Sequence, residues 1–373
     1  MRFLFLEPFF GGSHRYFAEG LQRFSRHEID LIHLPARFWK WRMRGAALYF
    51  IRQISNLKAY DGLIASSMMS LSDFKALAGS NCPPVLTYFH ENQLSYPLAP
   101  GESMDLQYGF TDITTALNAD RILFNSETHY QTFFAMLPDL IRKMPEFRPL
   151  WVIDKIRARS GVLHPGCKFS TEAPGPALFD GNRPPLIVWN HRWEFDKDPD
   201  AFFYALGRIA DEGLDFRLAL LGEQFSRQPA AFAKARRRYS EQIVQYGHVP
   251  SRKIYHQWLS KGDIVVSTAL QENFGISVVE AIRSGCLPLL PNRLSYPEII
   301  PGKFHADVLY RNATDLIDSL RHRIAHLSEF AGLRKELAMA MDRFSWPNMI
   351  DQYDEALEDL AHIRRDHATP NIP

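Results

Sequence analysis

Two glutamates with seven residues between them bracket the segment Glu272-Asn273-Phe274-Gly275-Ile-Ser-Val-Val-Glu280. Ahead of it, Asp263-Ile-Val-Val-Ser-Thr268 is a short β-branched run that reads as a buried strand. A helical pattern starts near Gly275, with Gly285 as its stop, and Cys286-Leu-Pro-Leu-Leu290 reads as the next strand. Such a unit aims the first N–H groups of its helix beyond the carboxyl end of the strand, where phosphate is the usual occupant. Glu272, in the loop, can meet a neutral hydroxyl. Glu280 falls in the second helical turn among Val278, Val279, Ala281 and Ile282. There a carboxylate needs hydrogen-bond partners, and its two oxygens match a vicinal diol such as a ribose. The competing reading is a solvated helix acid and an ordinary loop acid. The placement of Phe274-Gly275 on the turn favours chemistry.

Asn190-His-Arg192-Trp-Glu-Phe-Asp-Lys197-Asp-Pro199 offers a planar guanidinium and a point ammonium to a diphosphate. Its Asp196-Lys-Asp198 resembles a metal-binding pair of acids, but with two cations beside them capping or ion pairing is preferred, and no metal is expected. Gly11-Gly12-Ser13-His14 follows the first strand and is either an anion-approach loop or a bare turn. It lacks the spacing of a dinucleotide fingerprint. Tyr88-Phe-His90-Glu91-Asn92-Gln93 ends another strand, which places His90 at a sheet's carboxyl edge. Leu221-Gly222-Glu223 and Gly247-His-Val249-Pro250 close two more strands as turns or as backbone groups for a base. Arg37, Lys40 and Arg42 alternate with Phe38, Trp39 and Trp41. That stretch is an RNA-stacking surface, a membrane-interface segment, or a loop whose tryptophans are core. Lys234-Ala-Arg236-Arg237-Arg238 reads first as a solvated helix face.

The elements that must hold these residues alternate strand and helix, which implies doubly wound parallel sheets. Strands are expected at 2–6, 29–33, 61–65, 85–89, 121–124 and 162–164, then at 186–190, 216–221, 243–246, 263–267 and 287–290. Two Rossmann-like domains follow, 1–169 and 186–347, joined by a proline-rich linker at 170–185. A last helix from 348, after Trp346-Pro347, is expected to return to the first domain. The 373 residues are 46% hydrophobic and 23% charged with a net charge of +1, so a folded, non-disordered chain is implied and any basic surface is local. Cys82, Cys167 and Cys286 are too scattered for a disulfide framework or a zinc site. With neither a signal peptide nor an 18-residue apolar run, a cytoplasmic location is expected.

Together these stretches resemble a retaining glycosyltransferase of the GT-B architecture, with two domains facing across a cleft. More narrowly they resemble the tRNA-queuosine α-mannosyltransferase family. The narrowing rests on Trp39-Lys-Trp41-Arg42, His90-Glu-Asn-Gln93, Ala65-Ser-Ser67, Gln107-Tyr-Gly109 and Tyr296-Pro-Glu-Ile299. The resemblance implies a GDP-mannose donor, no cofactor or metal, and queuosine in a tRNA anticodon loop as acceptor. It implies that Arg192 and Lys197 hold the diphosphate and Glu280 the ribose. Glu272, with the backbone of Asn273, Phe274 and Gly275, would hold the sugar, with His90 facing it near C6. Gly11, Gly12, Gly222 and Val249 complete the expected donor site. Ser13, His14, Arg37, Trp39, Lys40, Trp41, Arg42, Glu91, Asn92 and Gln93 form the expected acceptor site. Front-face displacement is favoured over a covalent intermediate on Glu272. The alternatives are a lipid or polysaccharide acceptor, or a non-catalytic RNA- or nucleotide-binding protein.

Overall fold

The computed structural model describes residues 1–98, 101, 103, 105–169, 181–222 and 229–368, without the side chains of 364–368. Most of the expected linker (170–180), Glu223 and the last five residues lie outside the described residues. The chain divides into two compact units, Met1–Lys168 with Phe344–Pro373, and Phe169–Arg343.

The first unit is built on a parallel sheet of β1 (Arg2–Phe10), β2 (Glu28–Pro35), β3 (Gly62–Ser66), β4 (Val85–Phe89), β5 (Arg121–Phe124) and β6 (Ser160–Val162). The spatial order is β2-β1-β3-β4-β5-β6. Helices cover both faces, which is why these strands read as unbroken apolar runs. Leu4, Leu6, Leu63 and Phe89 face one helical layer that includes Phe50, Phe74, Ile113 and Leu137. Phe3, Phe5, Ile64 and Tyr88 face the opposite layer, built from Phe17 and Leu21 of helix Gly12–Phe24 and from Trp346 and Tyr353.

The last helix, Trp346–Ala368, is therefore part of the first unit. Its Asp354 accepts from the Ser25 hydroxyl (2.5 Å) and the Arg26 N–H (3.0 Å). A Cβ on Gly20 would lie 2.0 Å from the Trp346 indole, so only glycine lets the two helices meet there. The helix begins at Trp346, not at 348. Pro347 sits in its first turn, where no intrahelical N–H is needed.

In this unit the strand bounds depart most from expectation at β1 and β6. β1 runs on to Phe10 because β2 goes on pairing with it, at Glu7 and again at Phe10, and the register shift between them accommodates Pro8, whereas β3 pairs only as far as Leu6. The sixth strand is Ser160–Val162, three residues paired with Ile122–Phe124, in place of 162–164.

The second unit holds β7 (Leu186–Trp189), β8 (Arg217–Leu220), β9 (Ile243–Tyr246), β10 (Ile264–Val266), β11 (Leu287–Pro291) and β12 (Leu309–Tyr310), in the order β12-β11-β10-β7-β8-β9. β12, two residues long, carries no periodic signal and was not expected. β10 and β7 are central neighbours, so the loops leaving their carboxyl ends lie side by side. At the opposite edge, buried Asp263 ties the sheet together by accepting from Arg183 (2.5 Å) and from the Leu186 N–H (2.8 Å).

Candidate active site

The helix after β10 is Ile276–Arg283, and its ends are set by two glycines. Gly275 has φ 95, which lets the chain leave the loop and turn into the helix, and its carbonyl accepts from the N–H groups of Val278 and Val279 (both 3.0 Å). At the other end Gly285 has φ 101. The Gly285 N–H bonds to Ile282 O (2.9 Å) and that of Cys286 to Ala281 O (3.0 Å), a Schellman closure. The N–H groups of Ile276 and Ser277 precede the first intrahelical bonds and form the electropositive end of this helix.

Lys197 lies in the loop after β7 and meets the loop after β10. Its ammonium donates to Gln271 O (2.6 Å) and Glu272 Oε2 (3.3 Å), and lies 3.3 Å from Asp196 Oδ2. Lys197 and Asp196 are buried, and Thr268 Oγ1 anchors the loop through the carbonyls of Lys197 (2.9 Å) and Asp198 (2.8 Å). Arg192 approaches the same Asp196 at 3.9 Å from a half-exposed position and pairs with Glu194 at 3.0 Å. The two expected phosphate ligands therefore flank one carboxylate. Asp198 caps helix Pro199–Asp211 by accepting from the Ala201 N–H (3.2 Å). The acids of the Asp-Lys-Asp run thus have capping and ion-pairing roles.

Glu280 is 3% exposed, as its helical position required. Its partner is Arg252, through the Nη2–Oε1 ion pair, and the Tyr255 hydroxyl also bonds to it. Burial raises the Glu280 carboxyl above its ordinary value, and Arg252 opposes that rise. Tyr255 in turn accepts from Asn190 Nδ2 (3.1 Å), which also donates to Ser277 O (2.6 Å). The ends of β7 and β9 and the turn after β10 are thereby linked around one buried acid. Arg252 and Tyr255 were not expected. They are separated from Glu280 by more than twenty residues, and only Ser251, which caps their helix by accepting from the Ile254 N–H (3.3 Å), signals the element that carries them.

Gly222 is a packing requirement. A Cβ there would lie 2.1 Å from Trp193 Cδ1 and 2.4 Å from His191 O. Val249 is buried after the Gly247 turn (φ 97). The Phe274 carbonyl accepts from Ser295 Oγ (2.9 Å), and Asn273 Oδ1 from Gln271 Nε2 (2.9 Å).

In the first unit, Glu7 of β1 is fully buried, and its Oε1 accepts from the Phe9 N–H (2.8 Å) and Ser66 Oγ (3.2 Å) and meets His14 Nδ1 at 3.2 Å. An oxygen that already accepts two donors carries no proton, so in this contact His14 donates through Nδ1. The His14 and His90 rings are 4.1 Å apart, and burial first, then His14, lowers His90 well below the usual imidazole range. Ligand atoms of Glu7, His14 and His90 all lie within 4.8 Å of one another, so among the described residues this trio has the spacing to hold a metal ion.

The glycines beside it differ: a Cβ on Gly11 would lie 2.4 Å from Ala36 Cβ, whereas Gly12 has φ 50 and open space around it. Ser13 follows on the same exposed turn. Glu91 accepts from Ser67 Oγ through its carbonyl (2.9 Å), and the Gln93 N–H donates to buried Asp112 (2.5 Å). Asn92 departs from the expected acceptor role: its Oδ1 accepts from the N–H groups of Leu94 and Ser95 (both 2.9 Å), so its side chain holds its own loop.

From Trp39 on, the aromatic–cationic stretch is helix Trp39–Gln53 and not a loop; Arg37 and Phe38 lead into it. Trp41 is 76% exposed, which removes the reading in which its tryptophans are core. Trp39 packs on Tyr108 (5.0 Å between centroids), over which Lys40 and Arg44 also sit; Arg37 and Arg42 flank this face.

Two family models match the chain, one described as tRNA-queuosine alpha-mannosyltransferase N-terminal over residues 2–167 and one as glycosyl transferases group 1 over residues 177–337. Among solved structures, sucrose-phosphate synthase from Thermosynechococcus elongatus superposes with a TM-score of 0.75 at 12% identity, over 96% of this chain and 99% of that one. Anabaena HepE, solved with UDP, gives 0.68 at 14% identity, over 96% and 100%. These likenesses assign the GT-B fold. A 182-residue match of 21% identity, 48% of each chain, links it to a GDP-mannose:cellobiosyl-diphosphopolyprenol alpha-mannosyltransferase of Xanthomonas oryzae pv. oryzae. A tRNA-queuosine alpha-mannosyltransferase of Drosophila melanogaster is 32% identical over 362 residues, 94% of each chain. With that likeness running through both units, the chain is a member of the tRNA-queuosine α-mannosyltransferase family.

Proposed function

We propose that this protein is a cytoplasmic enzyme that transfers mannose from GDP-mannose, with retention, to the queuosine nucleoside of a tRNA anticodon loop. The observation that carries the reading is the meeting of a buried ammonium, Lys197, with the Glu272 loop, which leads into the positive end of helix Ile276–Arg283. An anionic leaving group is what such an arrangement stabilises. Lys197, Arg192 and the helix end neutralise a diphosphate as the glycosidic bond breaks, in surroundings drier than bulk water. Glu280, paired with Arg252, accepts the two ribose hydroxyls. Glu272 holds sugar hydroxyls, while the exposed Trp41 face with Arg37, Lys40 and Arg42 stacks on and neutralises the anticodon loop. His90, neutral because buried, faces the sugar near C6.

Cations and backbone N–H groups suffice for the phosphates in this reading, so the donor is taken up without a metal. Thermal-shift titration with GDP-, UDP- and ADP-sugars tests the donor, since a true ligand raises the melting temperature by mass action. GDP-mannose should stabilise most. A preference for UDP-sugars removes mannose transfer.

A further inference from the structure

The first unit exposes a second aromatic and cationic surface, apart from helix Trp39–Gln53. Between Arg142 and Arg159 the chain carries six cations against two acids, Glu146 and Asp154. Within that segment Phe147 is 85% exposed and Trp151 58%. Neither is surplus core. Helix Trp151–Arg157 already buries Val152 and Ile156 in the core, where it packs against helices Leu106–Asn118 and Glu127–Arg142, and this leaves Trp151 on its outer side. Lys155, one turn on, sets its ammonium 5.1 Å from the Trp151 ring centroid. Phe147 has φ 51, a left-handed backbone that bulky residues avoid. The loop holds this ring outward at a conformational cost that no burial offsets.

An outward ring, an indole with an ammonium over it and a surplus of positive charge match unpaired bases and phosphates. A membrane would call for a longer helix with its apolar face free, and here that face is in the core. Helix Leu106–Asn118 packs against both helix Trp39–Gln53 and helix Trp151–Arg157, so both aromatic surfaces belong to one helical layer.

We infer that Phe147, Trp151 and Lys155 form a second RNA contact, which grips the tRNA outside the nucleotide that is modified. This rests on the tRNA-modifying reading above. The test uses the full chain, wild type against Phe147→Ser/Trp151→Ser and, separately, Lys155→Gln. Affinity for queuosine-containing tRNA is measured by fluorescence anisotropy at two salt concentrations, together with kcat and KM for the same tRNA.

The double variant should bind at least about tenfold more weakly, since each stacked base contributes a factor of that order. KM should rise in step while kcat is kept. Lys155→Gln should flatten the log–log salt slope by about 0.7, the single-strand value for one phosphate. Unchanged affinity and KM in both variants overturn the proposal, as does binding of wild type to anionic phosphatidylserine vesicles that the double variant loses while its tRNA affinity stays. If the wild type itself neither binds nor glycosylates tRNA, the underlying reading falls instead, and the two failures are told apart.

Discussion

Replacing Arg252 by methionine strips Glu280 of its cation while keeping the length of the side chain. Glu280 is 3% exposed and Arg252 23%, so the carboxylate cannot reach water in exchange. Breaking a buried pair in this way costs about 3–5 kcal/mol. The acid has one escape, which is to take up a proton. Relative to an ordinary value of 4.5, that costs about 4 kcal/mol at pH 7.5 and about 1.4 kcal/mol at pH 5.5.

The sign is fixed by linkage: in the variant the folded state holds a proton that the unfolded state releases above 4.5, so stability is lost as pH rises. Urea unfolding of both proteins at the two pH values should give a destabilisation near 4 kcal/mol at pH 7.5 that shrinks about threefold at pH 5.5. Adding Glu280→Gln to Arg252→Met should restore most of the loss, because an amide needs no counterion. GDP affinity should fall in the single variant too, since a protonated Glu280 accepts ribose hydroxyls poorly. A loss under about 0.5 kcal/mol, or one equal at both pH values, refutes the pairing and with it the assigned role of Glu280.

Arg192→Ala should leave the urea midpoint near wild type, because its guanidinium is 43% exposed and its pair with Glu194 is largely screened. Steady-state kinetics should nevertheless show kcat down by about 10²–10³ if it stabilises the leaving diphosphate. Gly222→Ala should destabilise by about 1–3 kcal/mol or more in thermal or urea unfolding, since its Cβ would meet Trp193 and a backbone carbonyl. Gly12→Ala faces only its φ of 50 in open space, about 1–2 kcal/mol. Burial pushes His129 and His191 down to about 3 from 6.5. Unfolded histidines bind protons that the folded ones refuse, so each group's contribution is intact above pH 6.5 and falls by about 2 kcal/mol by pH 5. A stability curve that is flat between those pH values contradicts this.

Much of the scaffold could be read directly from residue types. Parallel strands buried on both faces give unbroken runs such as Ile264–Val266, and the glycines at 275 and 285 mark helix ends because only glycine takes their positive φ readily. Lys197 and Glu272 were each legible as site residues at strand ends, but their contact was not, because it depends on β7 and β10 being neighbours in the sheet; nor was the Arg252–Glu280 pair, since nothing local ties residues 28 apart on different helices. Pro8 concealed the length of β1 and, with it, the burial of Glu7 beside His14. The interleaved Trp39 and Trp41 fitted an interior or an exterior equally well from sequence. Their helix settles it by turning Met43, Ala46, Ala47 and Phe50 inward and Trp41 outward. The close packing at Gly222 was not legible because the indole that excludes a Cβ there is 29 positions away.

Nucleoside mass spectrometry of tRNA after incubation with the protein and GDP-mannose tests the central claim most directly. Queuosine should gain one hexose, α-mannosidase should remove it, and tRNA lacking queuosine should stay unchanged. A hexose placed equally on both tRNAs, or on neither while the donor is consumed with a lipid acceptor, contradicts the account.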